Sequence, residues 1–404
     1  MNRIILIFSF IFSISLYSQV DAEINRQNKE KFTSFINSLT ESQLNEVKIQ
    51  LITVDTLPSV TTAFGHSALR VYTGKQFEEK DFYIDFGEYD ESASFIWRFL
   101  KGQAKFYITV KTMATAYTMW DVTGRGMYAS EFILDNTKKK LFLKNLNELI
   151  EKYKDGYEYE NFTGNCVTYI RDVVGATYGN PLKLETEKNK RTWRSRVLPY
   201  SNRLLFLRIP EKLLFDHDTD KERNLTELIY LPFDLLISLE DAKLVTEREL
   251  LHRNFWKLPN DSFDYVGTFA FLIFVFIVLG QIPVYFKPMI DRKGEILFSL
   301  MSGIGGFATY LVWQFTSFNF MNETLMVLVF SPIDFFLLKK NKLSNRLHLS
   351  IILLRIFMLL VAFILRLTLY KQSIDTALFF SSLFFLLYLF NFLRTSKTNT
   401  VPAV

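Results

Sequence analysis

A single thiol raises the first chemical question in this sequence. Cys166 is the only cysteine among 404 residues and sits in NFTGNCVTYIRDVVG, 161–175. It can have no disulfide partner within the chain, so reactivity or burial must account for it. After it, Val167, Ile170, Val173 and Val174 recur at helical spacing, and Gly175 or Gly179 can end the run. Before it, the Thr-Gly-Asn triplet is turn chemistry, with Asn165 placed to cap a helix. Cys166 is therefore expected in the first turn of a helix, where unpaired N–H groups and the positive dipole end favour a thiolate. The alternative is a small buried hydrophobe, the usual fate of a free cysteine. The helix-start position favours the nucleophile.

A thiolate nucleophile works with an imidazole, and the chain has four histidines. His348 falls at the end of an apolar stretch, and His252 in a charged segment just before the first one. His217, in FDHDTD, invites a metal reading, but no second histidine or paired spacing supports it. His66, in AFGHSALRV, lies on a predicted strand after a glycine, among small neighbours, and is the candidate base. A third group should orient the ring through its other nitrogen. Asp85 on the next strand is the choice, with Tyr83 on the same face as a second candidate.

The elements that must position these groups are legible in outline. Val47–Val54 reads as a strand, Ala63–Tyr72 as a second, and 80–90 as a third with Phe82, Ile84 and Phe86 facing away from Tyr83 and Asp85. The segment TKKKLFLKNLNELIEKYKDG puts Leu141, Phe142, Leu146, Leu149, Ile150 and Tyr153 on one stripe, an amphipathic helix stopped near Gly156. The basic stretch KNKRTWRSR, 188–196, reads as a solvated loop.

Composition divides the chain. Residues 1–22 carry Arg3, an apolar run Ile4–Tyr17 and then small residues, the pattern of a cleaved export signal. Residues 23–261 mix polar and apolar types, enough for one good core. Residues 262–404 read as an all-α membrane domain of five spans, at 265–286, 295–315, 323–338, 347–370 and 376–393, the third short and interrupted by Pro332. Lys and Arg concentrate in 287–294, 339–346 and the tail, which places those segments in the cytoplasm and residues 23–261 outside it. The net charge of +5 is largely this bias and implies no nucleic-acid partner. Within the spans, Asp334 is placed to meet Arg355, and Arg355 and Arg366 share a helix face; an ion pair with a snorkelling Arg366, or a lipid path, accounts for them.

A histidine on an early strand, a polar residue on the next and a later Asn-Cys opening a helix resembles the chain order of circularly permuted papain-like (NlpC-type) enzymes. More closely, FGHSALRVY, FYIDFG, NFTGNCVTYIRD, TWRSRVLPY and LIYLPFDLLISLEDA look like successive blocks of the bacterial Lnb-type periplasmic domain, over roughly residues 45–245. The resemblance implies an α+β periplasmic domain of permuted papain-like fold followed by the membrane helices. It implies a lipoprotein N-acyltransferase with His66 and Cys166 catalytic. Asp85 stands where the family carries an amide as often as an acid. Arg125, in TGRGM, resembles a family arginine suited to a phosphate; a surface arginine is the alternative. Tyr83 and Asn165 are supporting candidates.

The implied reaction moves a fatty acyl chain from a membrane phospholipid through a Cys166 thioester to the N-terminal amine of diacylglyceryl-cysteine lipoproteins. It needs no cofactor and no metal. Its partners would be the donor phospholipid, acceptor lipoproteins and the bilayer of the bacterial inner membrane. The chain would be multi-pass, with its C-terminus cytoplasmic. Two other classes fit the same residues. One is a cell-wall cysteine peptidase or amidase; the other is a non-catalytic envelope assembly protein, in which Cys166 would be dispensable.

Overall fold

Three strands read from hydrophobic alternation lie side by side in the computed structural model, which describes residues 23–59, 61–74, 76–89, 92, 94–187, 190–202, 204–253, 265–279, 281, 287–368 and 376–398. The expected export signal, 1–22, falls outside the described residues. The chain forms two compact units, one of residues 1–191 and 223–259, the other of 192–222 and 260–404. Residues 192–222, expected within the 23–261 domain, thus group with the second unit.

In the first unit the elements run α1 (23–38), α2 (Glu41–Glu46), β1 (Lys48–Val54), β2 (His66–Tyr72), β3 (Asp81–Tyr89), α3 (Phe95–Leu100), β4 (Lys105–Thr112), α4 (Met113–Thr123), β5 (Met127–Glu131), α5 (Asn136–Lys152), β6 (Tyr157–Glu158), α6 (Cys166–Tyr178), a helix Pro232–Asp241 and β7 (Glu249–His252). The strands make one antiparallel sheet in the order β6-β4-β3-β2-β1-β5-β7. The unit is therefore mixed α/β on an antiparallel sheet. β2 starts at His66, not Ala63, because Thr61–Phe64 form a turn.

Strand alternation sorts side chains between two cores. Ile49, Leu51, Leu69, Val71, Phe82, Ile84 and Phe86 pack with α1, α5 and α6. Ile52, Val54, Ala68 and Tyr83 pack on the opposite face with Met113, Ala116 and Trp120 of α4. α5 is capped by Asp135, whose carboxylate accepts the Lys138 N–H at 2.8 Å. It buries Phe142, Leu143, Leu146 and Ile150, while Leu141 is exposed, so the stripe is rotated by about one position from the sequence reading. At the far end of the β2–β3 hairpin, buried Arg70 forks onto Asp81, with Nε–Oδ1 2.8 Å and Nη2–Oδ2 2.6 Å, and Nη1 donates to Gln50. This planar, fully satisfied pair pins β1, β2 and β3 in register.

In the second unit, helices span Trp193–Ser201, Leu205–Leu214, Tyr265–Leu279, Lys287–Phe315, Asn345–Thr368 and Thr376–Thr398. Among the described residues, Arg292–Phe315 and Asn345–Thr368 are long and apolar enough to cross a membrane; Thr268–Leu279 and Ala377–Leu393 are apolar but shorter. The basic segment 287–294, expected as a loop, is helical from Lys287. The expected span 323–338 is not one helix. It is a single turn, Met326–Val329, an extended Phe330, and a 3-10 stretch Pro332–Lys342. Pro332 has no N–H and disfavours helix at the residue before it, which explains the break.

The backbone groups freed there find partners. Arg355 donates to the carbonyls of Leu328 at 2.8 Å and Val329 at 2.7 Å, and its Nε to Asp334 at 2.7 Å. Ser302 donates to the other Asp334 oxygen. A Cβ at Gly306 would lie 2.5 Å from the Ser331 nitrogen, so glycine lets the long helix lie directly on the break. The Asp334–Arg355 pair thus closes a backbone interruption, giving its carbonyls the donors that a continuous helix would have supplied.

Candidate active site

The start of β2 meets the middle of β3. Imidazole Nε2 of His66 lies 2.9 Å from Asp85 Oδ1, and Cys166 lies within hydrogen-bond reach of the same ring. Asp85 is fixed from below, because its Oδ1 also accepts the Gly87 N–H at 2.7 Å. The three groups come from two adjacent strands and a helix far along the chain. Only the folded sheet brings them together.

Electrostatics fit the geometry. Burial alone would lower the His66 imidazole, but the charges of Asp85 and Cys166, and hydrogen bonds to both, outweigh it and hold it at about 10. Burial pushes the Asp85 carboxyl up, yet the His66 charge and hydrogen bond, Lys111 and the Gly87 N–H bring it down to about 2. At neutral pH the site therefore contains an imidazolium between a carboxylate and a sulfur.

Gly87 makes room for this arrangement. The β2–β3 register, Ala68 opposite Asp85, continues to place His66 across from Gly87, and β3 bulges against β4 between Asp85 and Glu88. A Cβ at Gly87 would sit 2.7 Å from His66 Cε1 and 3.3 Å from Nδ1. The ring edge thus lies against the glycine. Gly87→Ala should displace the imidazole by a few tenths of an ångström or more and cut turnover roughly 10–100-fold. Thermal unfolding should stay close to wild type, and turnover equal to wild type would refute the assignment.

Cys166 opens α6. Asn165 caps it: Oδ1 accepts the N–H groups of Val167 at 2.9 Å and Thr168 at 3.0 Å, and the Asn165 N–H donates to Thr168 Oγ1 at 2.8 Å. The Asn165 amide donates to Asn161 O at 2.7 Å and Tyr230 O at 3.2 Å, which ties the cap to two loops. Asn165 is thus a structural cap, and the Cys166 N–H is left at the helix start, where an oxyanion could bind. Cys166 is partly exposed, as a nucleophile must be. Val167, Ile170, Val173 and Val174 are buried, and Gly179 ends the helix at φ 81°.

Tyr83 and Arg125 line the same place. Burial and the Asp85 charge push the buried Tyr83 phenol well above its ordinary value, and its oxygen accepts the Trp120 indole N–H at 3.3 Å. Trp120 lies between two cations, 5.7 Å from the His66 ring and 4.8 Å from the Arg125 guanidinium carbon. Arg125 donates Nε to Asp55 O at 2.7 Å. Burial lowers its guanidinium to about 10, with Tyr83, Asp55, Cys166 and Asp85 opposing. His252, passed over in the sequence, buttresses Arg125 from β7: Nδ1 lies 2.7 Å from Arg125 O and Nε2 2.8 Å from Asp121 Oδ1. Its signal, a histidine in a charged stretch after a long loop, gave no reason to look to Arg125.

The other histidines lie elsewhere. His217 faces Glu323 at 3.3 Å, and His348 Nε2 lies 3.1 Å from Tyr388 Oη. Among the described residues no group of three or more His, Cys, Asp or Glu side chains could hold a metal.

Residues 35–199 match the family described as the Lnb N-terminal periplasmic domain. The matched segment holds His66, Tyr83, Asp85, Arg125, Asn165 and Cys166, and stops short of LIYLPFDLLISLEDA. Neither curated proteins nor solved structures give a match.

Proposed function

We propose that this chain, which carries an Lnb N-terminal periplasmic domain, is a membrane-bound acyltransferase. It moves a fatty acyl chain from a phospholipid, through a thioester on Cys166, to the N-terminal amine of diacylglyceryl-cysteine lipoproteins. The observation that carries this reading is the His66 imidazole held between the Asp85 carboxylate and the Cys166 sulfur at a helix start.

The thiolate attacks the ester carbonyl carbon, and the oxyanion forms against the Cys166 N–H. The C–O bond breaks as His66 gives its proton to the departing lysolipid oxygen. A thioester remains, and His66 is left neutral. The acceptor α-amine then attacks the thioester carbonyl, His66 takes the proton lost by nitrogen, and the thiolate departs. Imidazolium and thiolate are restored, so no proton or electron is left over. A thioester is activated toward an amine, which suits transfer.

The chain order of histidine, acid and helix-opening cysteine supports a permuted papain-like relationship for this domain. In this reading the domain faces the periplasm and the apolar helices hold it at the inner membrane as a multi-pass protein with a cytoplasmic C-terminus. Both substrates are anchored in the outer leaflet, which gives the membrane unit a role in presenting acyl chains.

Mass spectrometry of lipoprotein N-termini is the test, in cells without a redundant enzyme, carrying wild type, Cys166→Ala or no protein. N-acylation is expected with wild type alone. Equal acylation in all three would end the proposal.

A further inference from the structure

The short helix α3 is apolar and yet lies in the open. Phe95–Leu100 reads FIWRFL, five apolar residues and one arginine, and none of them is buried. Ile96 is 72 % exposed and Trp97 49 %. Apolar surface left in water costs free energy, and such patches stay small unless something covers them. The helix is nevertheless held in place. Phe95 stacks on Tyr89 at 4.5 Å, and Phe99 meets Tyr159 at 5.8 Å. Tyr89 ends β3, the strand that carries Asp85 and Gly87. Tyr159 follows β6 and leads through the 160–164 turn to Cys166. α3 is therefore anchored to the two segments that supply the acid and the sulfur.

We propose that α3 docks the first unit on the lipid bilayer, with Ile96 and Trp97 at the boundary between headgroups and acyl chains. The charges fit that occupant. From Phe95 to Lys105 the chain holds Arg98, Lys101 and Lys105 and no acid. Glu88, Asp90 and Glu91 come before it, and Glu88 is paired with Lys111. The Lys101 ammonium lies 5.5 Å from the centre of the Trp97 ring. Tryptophan, lysine and arginine beside an apolar face are the pattern of interfacial helices, whose aliphatic stems follow the chains while their charges reach the phosphates. A protein partner calls for a different composition, because lysine is depleted from protein–protein interfaces. This surface belongs to the first unit and is separate from the apolar helices of the second. It rests on the membrane-held reading above and needs no acyl transfer. Spans alone tether a domain; a second contact anchored beside Cys166 also fixes which face meets the bilayer.

The lone cysteine makes the test direct, since Cys166→Ala leaves a full-length chain with no other thiol. Ile96→Cys is added, labelled with a nitrobenzoxadiazole dye, and the protein is placed in nanodiscs of phosphatidylethanolamine and phosphatidylglycerol. Emission should shift to the blue, fall when doxyl-labelled lipid is included and resist aqueous iodide, as for a group about 5–10 Å into the headgroup boundary. Ile133→Cys is the control. Ile133 is 56 % exposed, and its carbonyl accepts the Tyr178 hydroxyl at 3.0 Å, at the end of α6 opposite Cys166. Its label should answer to iodide and not to doxyl lipid. Equal iodide quenching at 96 and 133 overturns the proposal. So does a label at 96 sheltered from both quenchers, which would mark α3 as a protein-binding surface. Because no turnover is read, these outcomes leave acyl transfer untouched. A chain that does not enter the discs would sink the membrane reading itself, whereas entry without doxyl quenching sinks the docking alone.

Discussion

Replacing Cys166 by serine is expected to abolish acyl transfer, by a factor on the order of 10⁴ or more. The change keeps the shape of the side chain and the helix start, so it removes the sulfur and little else. A serine hydroxyl must lose a proton in order to attack. The neighbouring imidazole is raised by the charge and hydrogen bond of Cys166 as well as by those of Asp85, and serine removes the Cys166 charge. An alcohol is a far weaker acid than a thiol, so an imidazole that can activate sulfur leaves oxygen poorly nucleophilic. Single-turnover labelling with phospholipid vesicles, followed by mass spectrometry of the peptide containing residue 166, should show an acyl adduct in wild type, removable by neutral hydroxylamine as a thioester is. Neither adduct nor product should form with serine. Acyl transfer undiminished in the serine variant would remove Cys166 as the nucleophile; no adduct even in wild type, with cellular function intact in the serine variant, would make this chain the non-catalytic assembly protein considered above.

Several parts of this arrangement were legible in the chain because they depend on local pattern. Strand alternation put Tyr83 and Asp85 on one face, and turn chemistry before a helical run put Cys166 behind Asn165. Both rest on short-range rules of backbone geometry. The missed parts are long-range. β4, β6 and β7 are recruited by sheet pairing, and β6 is only two residues long. Gly87 shows the limit. In FYIDFGEYD it reads as a weak point in a strand, and only the β2–β3 register reveals the imidazole resting on it. His252 meets Arg125 through a pairing 127 residues long. In the second unit, the hydropathy of 323–338 suggested a span, and Pro332 hinted at the break. That the break is stabilised by Arg355 at the carbonyls of Leu328 and Val329 required the neighbouring helix.

Asp85→Asn should narrow the pH range of the enzyme from its alkaline side. The sign follows from the two groups in turn. His66 is raised from an ordinary 6.5 to about 10, so its pairing contributes fully below 6.5 and is lost as pH rises through about 10. Asp85 is lowered from 3.8 to about 2, so its contribution is present above 3.8 and is lost as pH falls through about 2. Wild-type acylation of Cys166 needs the imidazolium to protonate the departing lysolipid, and should hold its rate until pH approaches 10. Asparagine removes the Asp85 charge, one of the attractions that offset burial of the imidazole. Burial then counts for more, and the imidazolium deprotonates at lower pH. The alkaline limb moves toward neutrality, with a loss of roughly 10²–10⁴-fold at pH 9 and a smaller one at pH 6. His66→Ala provides the floor, a low rate without that limb. The measurement is the rate of thioester formation in one turnover from pH 6 to 10 on the full-length protein. An asparagine variant whose limb coincides with that of wild type would mean that the carboxylate does not govern the imidazole.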